Sequence, residues 1–156
     1  MRIRGYTEVD LAAILDIYGR SKLDDLKFED KTFTLLPLAK DEARLRGLME
    51  SEIYVCEEKG IISGYGAFYG NEIRALFVLP GCRGKGVGKM LLEFLLSKVQ
   101  GEPCLNVASS NQPAKRLYQR YGFSVAHSFE TTYNRVPVSA QTMIRKALAQ
   151  DERNVN

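Results

Sequence analysis

Residues 75–98 read ALFVLPGCRGKGVGKMLLEFLLSK, and the rest of the chain is organised around this stretch. It opens with a continuous apolar run that ends at Pro80, which is typical of a short buried strand. Farther along, apolar side chains recur at helical spacing, at Val87, Leu91, Phe94 and Leu95. The sequence therefore predicts a strand, a basic glycine-rich turn and an amphipathic helix that begins inside the turn.

The turn has the composition of an anion-binding site. The first N–H groups of a helix have no partner within the helix and lie at the positive end of its dipole, so they bind a phosphate when no Cβ atom blocks its approach. Gly84, Gly86 and Gly88 leave that space open. Three basic side chains add positive charge: Arg83, Lys85 and Lys89. We therefore predict that the turn binds a diphosphate.

Two known nucleotide-binding motifs, the P-loop and the dinucleotide fingerprint, do not match the sequence of the turn. A P-loop has Ser or Thr after its Gly-Lys pair, but Met90 follows Gly88 and Lys89 here. Arg83 also stands where the first glycine of a P-loop belongs. A dinucleotide fingerprint has a wider glycine spacing and opens a βαβ domain, whereas these glycines lie in mid-chain. A glycine-rich turn with solvated charges and no ligand is the remaining alternative.

Two motifs, in this order, resemble those of the GNAT superfamily of acyl-CoA-dependent N-acetyltransferases. Residues 83–88, RGKGVG, match the Arg/Gln-x-x-Gly-x-Gly/Ala motif of the family. Residues 111–123, NQPAKRLYQRYGF, match its Asn-x-x-Ala-x-x-Leu-Tyr-x-x-x-Gly-Phe element. The resemblance implies an α/β fold of the GNAT type. In that fold a mixed, mostly antiparallel sheet has helices on both faces, and a splayed pair of parallel strands holds acyl-CoA.

The resemblance covers residues 1–147 as a single N-acetyltransferase domain, and residues 148–156 are expected to form a frayed C-terminal tail. Thr7 and Asp10 form a capping pair before the first helix, and Asn111 caps a later one. Strands are predicted at residues 3–6, 53–57, 61–69, 72–79, 104–108, 123–129 and 141–146. Further helices are predicted at residues 40–50, 87–98 and 112–121, and a loop or hairpin end at residues 131–138.

The amino-acid composition indicates which kinds of ligand the protein is expected to bind. A net charge of +3, concentrated near the glycine turn, favours a small phosphorylated ligand over nucleic acid. Three cysteines and a single histidine, without paired ligand spacing, predict no metal site and reduced thiols. No apolar run reaches the roughly 18 residues of a membrane span, and no signal segment follows Met1. We therefore expect a cytoplasmic protein that binds neither nucleic acid nor a membrane.

The resemblance implies how acetyl-CoA, the co-substrate, is held. Pantetheine would pair with the backbone of the strand that precedes the turn, and the diphosphate would lie on the turn itself. Lys115 would extend a further positive charge toward the phosphates, with a solvated helix face as the alternative. The implied cofactor-binding residues are Leu76, Phe77, Val78, Arg83, Gly84, Lys85, Gly86, Val87, Gly88, Lys89, Asn111, Lys115 and Tyr118.

Acetyl transfer to an amine requires a proton donor for the departing thiolate and a proton acceptor for the amine. Tyr118 stands where the family has its general acid, and the usual tyrosine pKa of about 10 keeps its hydroxyl protonated at neutral pH. Asn106 replaces the glutamate base of relatives that acetylate N-terminal alanines, so we expect it to orient the acceptor or a water. Glu72 is then the candidate base, with a solvated position beside a turn as the alternative. His127 lies outside both motifs and is expected to be structural.

Four acidic residues lie in the segment that the family uses for the acceptor: Asp24, Asp25, Glu29 and Asp30. We therefore predict that the acceptor is a small cationic amine, with a solvated acidic loop as the alternative. Transfer is expected to be direct, in a ternary complex, because none of the three cysteines lies in a motif for an acyl-enzyme. The alternatives are a protein or peptide lysine acetyltransferase and a non-catalytic acyl-CoA sensor. By analogy with the family, residues 129–138 are the expected interface of a homodimer, should one form.

Overall fold

The computed structural model describes residues 1–147, which form a seven-stranded sheet with helices on both faces. The strands are β1 (Arg2–Gly5), β2 (Glu52–Glu58), β3 (Ile61–Tyr69), β4 (Glu72–Val78), β5 (Cys104–Ala108), β6 (Ser124–Tyr133) and β7 (Val136–Ile144). The helices are α1 (Leu11–Ser21), α2 (Glu42–Met49), α3 (Val87–Lys98) and α4 (Gln112–Arg120). The predicted C-terminal tail, residues 148–156, lies outside the described residues.

The sheet is mixed and mostly antiparallel, which confirms the predicted α/β fold class. Its strand order is β1-β2-β3-β4-β5-β7-β6, and β4 with β5 is the parallel pair. Helices α1 and α2 cover one face and pack on β2, β3 and β4 through Ile14, Ile17, Leu48, Val55 and Tyr65. Helices α3 and α4 cover the other face through Leu92, Leu95, Leu117, Phe68 and Leu105. Each face of the sheet therefore has its own buried apolar cluster.

Helix α3 packs closely on β3 because Gly66 has no side chain. A Cβ atom at Gly66 would lie 2.8 Å from Leu95 Cδ1 and 3.4 Å from the Ala75 carbonyl oxygen. The contact with Leu95 would be shorter than a packed core allows. A side chain at this position would therefore force Leu95 of α3 to move.

A buried carboxylate ties β1 to the start of α1. The Asp10 side chain accepts hydrogen bonds from both Nη atoms of Arg4, at 2.8 and 2.9 Å, and from the Thr7 backbone N–H at 2.8 Å. Arg4 also donates to Glu57 on β2. The capping pair predicted from Thr7 and Asp10 is confirmed. Its carboxylate in addition bonds a guanidinium that bridges two strands.

The prediction of a loop at residues 131–138 is wrong, although the hairpin end is correct. Strands β6 and β7 pair up to Tyr133 and Val136, with one register irregularity between Val125 and His127. The turn consists of Asn134 and Arg135, whose φ angles of 47° and 70° are those of a type I′ hairpin. Because Asn-Arg is a weaker turn signal than Asn-Gly, the long hairpin could not be recognised from the sequence.

Strands β4 and β5 separate almost as soon as they meet. Among the described residues, the two strands pair at one position, Glu72 with Cys104. Beyond that point β4 stays paired with β3, and β5 stays paired with β7. One edge of β4 and one edge of β5 therefore face an open gap, as the predicted splayed pair requires.

Candidate active site

The gap between β4 and β5 opens into a cavity of about 550 Å³. Its walls come from both strands, from α4, and from α1 with the turn that follows it. Six of the predicted site residues line this cavity: Glu72, Leu76, Phe77, Asn106, Asn111 and Tyr118. The split sheet thus brings together side chains that are distant in the sequence.

Tyr118 is held in the cavity wall by α4. Asn111 begins this helix and accepts a hydrogen bond from the Ala114 N–H at 3.4 Å, which confirms the predicted cap. The Tyr118 ring packs edge-on against Phe123, with 5.9 Å between ring centroids. Burial, and secondarily the negative charge of Asp25, raise the pKa of Tyr118 above its usual value. The hydroxyl is therefore protonated at neutral pH and can donate a proton.

Asn106 is oriented by a side chain from the neighbouring strand β7. Its Oδ1 accepts a hydrogen bond from Thr142 Oγ1 at 2.7 Å. Thr142 Oγ1 in turn lies 3.1 Å from His127 Nε2. Because Oδ1 is engaged with Thr142, the amide nitrogen of Asn106 is left to donate. The sequence did not indicate this row, since its three members lie on three different strands.

Glu72 lies at the closed end of the gap and is held by an arginine. Arg74 Nε donates to Glu72 Oε1 at 2.7 Å, and Arg74 Nη1 donates to the Gly47 carbonyl oxygen at 3.0 Å. Arg74 also forms an ion pair with Glu50. One oxygen of the candidate base is therefore already occupied by a cation.

The glycine turn leads from the end of β4 to the start of α3, as predicted. Gly84 and Gly86 have φ angles of 79° and 84°, in the left-handed region that favours glycine. Gly86 is the N-cap of α3 and offers no side chain to the first N–H groups of the helix. The Val87 side chain is buried, so only its backbone is available to a ligand. The open N–H groups suit an anion.

Several predicted cofactor ligands lie outside the cavity walls and have partners within the chain. Arg83 Nη1 donates to Asp24 Oδ2 at 2.6 Å, which ties the glycine turn to the segment after α1. Lys115 Nζ donates to the Ser109 carbonyl oxygen at 3.2 Å. The Val78 carbonyl oxygen accepts a hydrogen bond from Ser21 Oγ at 3.1 Å. Lys85 and Lys89 are exposed.

The four acidic residues do not act as one patch on the cavity. Asp25 lines it, whereas Asp24 pairs with Arg83, Glu29 accepts a hydrogen bond from Ser110, and Asp30 is exposed. The Asp25 side chain keeps 41% of its surface accessible, but the surrounding protein raises the pKa of its carboxyl. Of the four carboxylates expected to attract a cationic acceptor, Asp25 is therefore the one that lines the cavity.

The cavity wall includes polar side chains that were not singled out from the sequence, among them Tyr18, Lys22 and Arg44. Burial lowers the pKa of Lys22, and the nearby Asp25 opposes that shift. Tyr18 continues the helical apolar spacing of α1, so its hydroxyl carried no separate signal. Residues 1–147 contain neither a group of acidic, histidine or cysteine side chains arranged to hold a metal ion nor a helix suited to crossing a membrane.

The chain is similar in sequence to known acetyltransferases. Residues 49–125 match the model of the acetyltransferase (GNAT) domain. The chain is 32% identical over 141 residues to the L-methionine sulfoximine/L-methionine sulfone acetyltransferase of Salmonella typhimurium, with 80% of this chain and 81% of that protein covered. It is 29% identical over 126 residues to the peptidyl-lysine N-acetyltransferase YiaC of Escherichia coli, with 79% and 83% covered.

Solved structures agree with the fold. A GCN5-related N-acetyltransferase from Rhodopseudomonas palustris superposes with a TM-score of 0.76 at 18% identity, with 94% of this chain and 95% of that chain covered. The yncA protein of Salmonella typhimurium, solved with its cofactor acetyl-CoA, gives a TM-score of 0.66 at 24% identity, with 97% and 98% covered. The resemblance inferred from the two sequence motifs is confirmed, and the chain belongs to the GNAT superfamily of acetyl-CoA-dependent N-acetyltransferases.

Proposed function

We propose that the enzyme transfers the acetyl group of acetyl-CoA directly to the primary amine of a small molecule in a ternary complex. This proposal is supported mainly by one observation: residues of β4, Tyr118 and Asp25 line the same cavity. Acetyl-CoA would enter along β4, with its diphosphate on the N–H groups that begin α3. The amine would enter from the side of α1 and α2.

The chemistry follows from these positions. The amine nitrogen attacks the thioester carbonyl carbon, a C–N bond forms, and the C–S bond breaks. A backbone N–H on the open edge of β4, at Leu76 or Phe77, would polarise the carbonyl oxygen. Tyr118 would give its proton to the departing sulfur. The proton lost by the amine would pass to a cavity carboxylate, either directly or through water.

Asp25 is a better candidate for this carboxylate than Glu72. Its raised pKa brings the carboxyl closer to the basicity that accepts a proton near neutral pH. Glu72 is occupied by Arg74. Asp25 would also attract the ammonium form of the acceptor. The sequence-based hypothesis that acidic residues attract a cationic amine therefore still applies to this one carboxylate.

A second candidate function is transfer to a lysine side chain of a protein or peptide. It is supported by the similarity of the chain to YiaC, a peptidyl-lysine N-acetyltransferase. The two functions differ in the size of the acceptor. Thiol release measured with small amines and with lysine-containing peptides of matched concentration would separate them.

The direct test combines calorimetric titration of acetyl-CoA with thiol release in the wild type and in Tyr118→Phe. We expect Tyr118→Phe to lower kcat by about 100-fold or more, with nearly unchanged affinity for acetyl-CoA, because a positioned general acid contributes about that much. Tyr121→Phe is the matched control, since the Tyr121 hydroxyl donates to Glu93 outside the cavity. Binding without thiol release from any amine would favour a sensor instead.

A further inference from the structure

Three hydrogen-bond donors meet at the end of the cavity nearest α1 and α2. They are the Tyr18 hydroxyl, the Lys22 ammonium and the Arg44 guanidinium, and all three residues line the cavity. Lys22 Nζ and Arg44 Cζ lie 5.4 and 5.6 Å from the centroid of the same ring, that of Tyr133. Two positive charges therefore lie beside the Tyr133 ring, on the side of the site proposed for the acceptor.

The Tyr18 hydroxyl has no hydrogen-bond partner in the part of the chain that the structure describes. Tyr18 is 3% exposed, and its ring packs edge-on against Phe77. A buried hydroxyl without a partner destabilises the folded protein, and such groups are rare. A ligand oxygen at the cavity wall would satisfy it.

The two cations are held only loosely by their counterions. Lys22 Nζ lies 3.6 Å from Asp25 Oδ2, and Arg44 Nε lies 3.4 Å from Asp41 Oδ2, both at the long end of ion-pair distances. Within residues 1–147, neither side chain donates a hydrogen bond that meets ordinary geometry. Their donors are therefore available to a ligand.

A third cation in the cavity wall provides the contrast. Arg74 donates to Glu72 and to the Gly47 carbonyl oxygen, and it forms an ion pair with Glu50. Its donors are engaged by the protein itself. The available positive charge is therefore confined to the α1 and α2 end of the cavity, beside the hydroxyl that lacks a partner.

We propose that Tyr18, Lys22 and Arg44 bind an oxyanion of the acceptor, which is therefore a small zwitterion with an amine and a carboxylate, of the amino-acid class. This inference rests on the proposed function and names its substrate class. A carboxylate has two oxygens that accept several hydrogen bonds, which suits three converging donors. Asp25, beside Lys22, then faces the amine. The sequence had suggested a purely cationic acceptor, whereas this subsite would take a zwitterion.

The test compares matched acceptors by thiol release from acetyl-CoA. The probes are the twenty standard L-amino acids and their carboxamides, which keep the amine and remove the negative charge. We expect each accepted amino acid to be used at least about tenfold better than its carboxamide. Tyr18→Phe, Lys22→Met and Arg44→Gln should each lower kcat/KM for the acid by about ten- to hundredfold, mainly through KM. Tyr18→Phe and Arg44→Gln should barely affect the carboxamide.

Two further measurements exclude a merely structural effect. Tyr18→Phe should leave Tm unchanged or raise it, because it removes a hydroxyl that has no partner in the unliganded enzyme. Lys40→Gln removes an exposed charge near α2, outside the cavity, and should leave the preference for the acid unchanged. Arg44→Lys should restore part of what Arg44→Gln loses.

The outcomes separate this inference from the proposed function. Equal use of acids and carboxamides, use of other amines but of no amino acid, or an unchanged preference in the three variants would overturn the zwitterion subsite while leaving an active acetyltransferase. Failure of the wild type to bind acetyl-CoA, or to release thiol with any amine or peptide, would overturn the proposed function and this inference with it.

Discussion

Burial acts on two titratable side chains of the cavity with different chemical consequences. For Tyr118, a raised pKa keeps the hydroxyl protonated, which a proton donor to a thiolate requires. For Asp25, burial raises the pKa and the charge of Lys22 opposes the shift. A carboxylate in that state is a stronger proton acceptor than one in water. The two side chains would therefore suit the proposed roles of acid and base.

The two candidate bases can be told apart by substitution and by pH. We expect Asp25→Asn to lower kcat by about 100-fold and Glu72→Gln to change it by less than about threefold. In the wild type, kcat/KM should rise with pH as Asp25 loses its proton, at a pH above the usual range for aspartate because its pKa is raised. That limb of the pH profile should disappear in Asp25→Asn. A large loss confined to Glu72→Gln would restore the assignment made from the sequence.

At the scale of single elements, the glycine turn matters through its backbone. We expect Gly86→Ala to destabilise the protein by about 1–2 kcal/mol, since its φ of 84° is unfavourable for a residue with a Cβ atom. The same change should weaken acetyl-CoA binding, because it disturbs the first N–H groups of α3. Gly81→Ala is the matched control, since Gly81 is not among the positive-φ glycines and has open space around its Cβ position. Denaturant unfolding and calorimetry would measure both effects, and equal behaviour of the two variants would contradict the account.

The junction of β1, α1 and β2 depends on one carboxylate. Hydrogen bonds from Arg4 lower the pKa of Asp10 from 3.8 to about 2. A lowered pKa stabilises the folded state above the unfolded value, and that contribution is lost as the pH falls through the folded value. We therefore expect Asp10→Asn to cost about 2 kcal/mol at neutral pH, and the difference from the wild type to shrink between about pH 4 and pH 2. Asp16→Asn, in an exposed pair with Arg20, should change stability by less than about 0.5 kcal/mol.

Considered as a whole, the molecule has a sheet in two parts. Strands β1 to β4 form one part and β5, β7 and β6 the other, and within residues 1–147 the two parts pair at a single position. The apolar cluster beneath α3 and α4 spans both parts through Phe68, Leu105 and Met143. A cofactor in the gap would contact both parts, so its binding should stabilise the complete domain.

That stabilisation can be measured by thermal unfolding. At an acetyl-CoA concentration of about 100 times Kd, mass action gives about 2.7 kcal/mol, which corresponds to a rise in Tm of about 5–10 °C for a domain of this size. At the same concentration Tyr118→Phe should show nearly the same rise and Gly86→Ala a smaller one. A Tm that does not change with acetyl-CoA would contradict binding in the gap.

The features that the sequence alone determined are those whose causes lie close together in the chain. The strand, turn and helix of residues 75–98, the Asn111 cap and the pair of Thr7 with Asp10 each depend on residues within a few positions of one another. Local hydrogen bonding and apolar periodicity are sufficient to specify them. The family followed from the motifs on two such elements.

The tertiary structure was needed to show which distant side chains contact each other and which of them line the cavity. Asp24 and Arg83 are 59 residues apart, and Asn106 and Thr142 are 36 apart, so no local pattern indicated either contact. Strand order, helix packing and the split of β4 from β5 brought Tyr18, Lys22 and Arg44 to the acceptor side of the gap. Side-chain proximity across a sheet is a property of the packed molecule, because it depends on the register and twist of every strand between the partners.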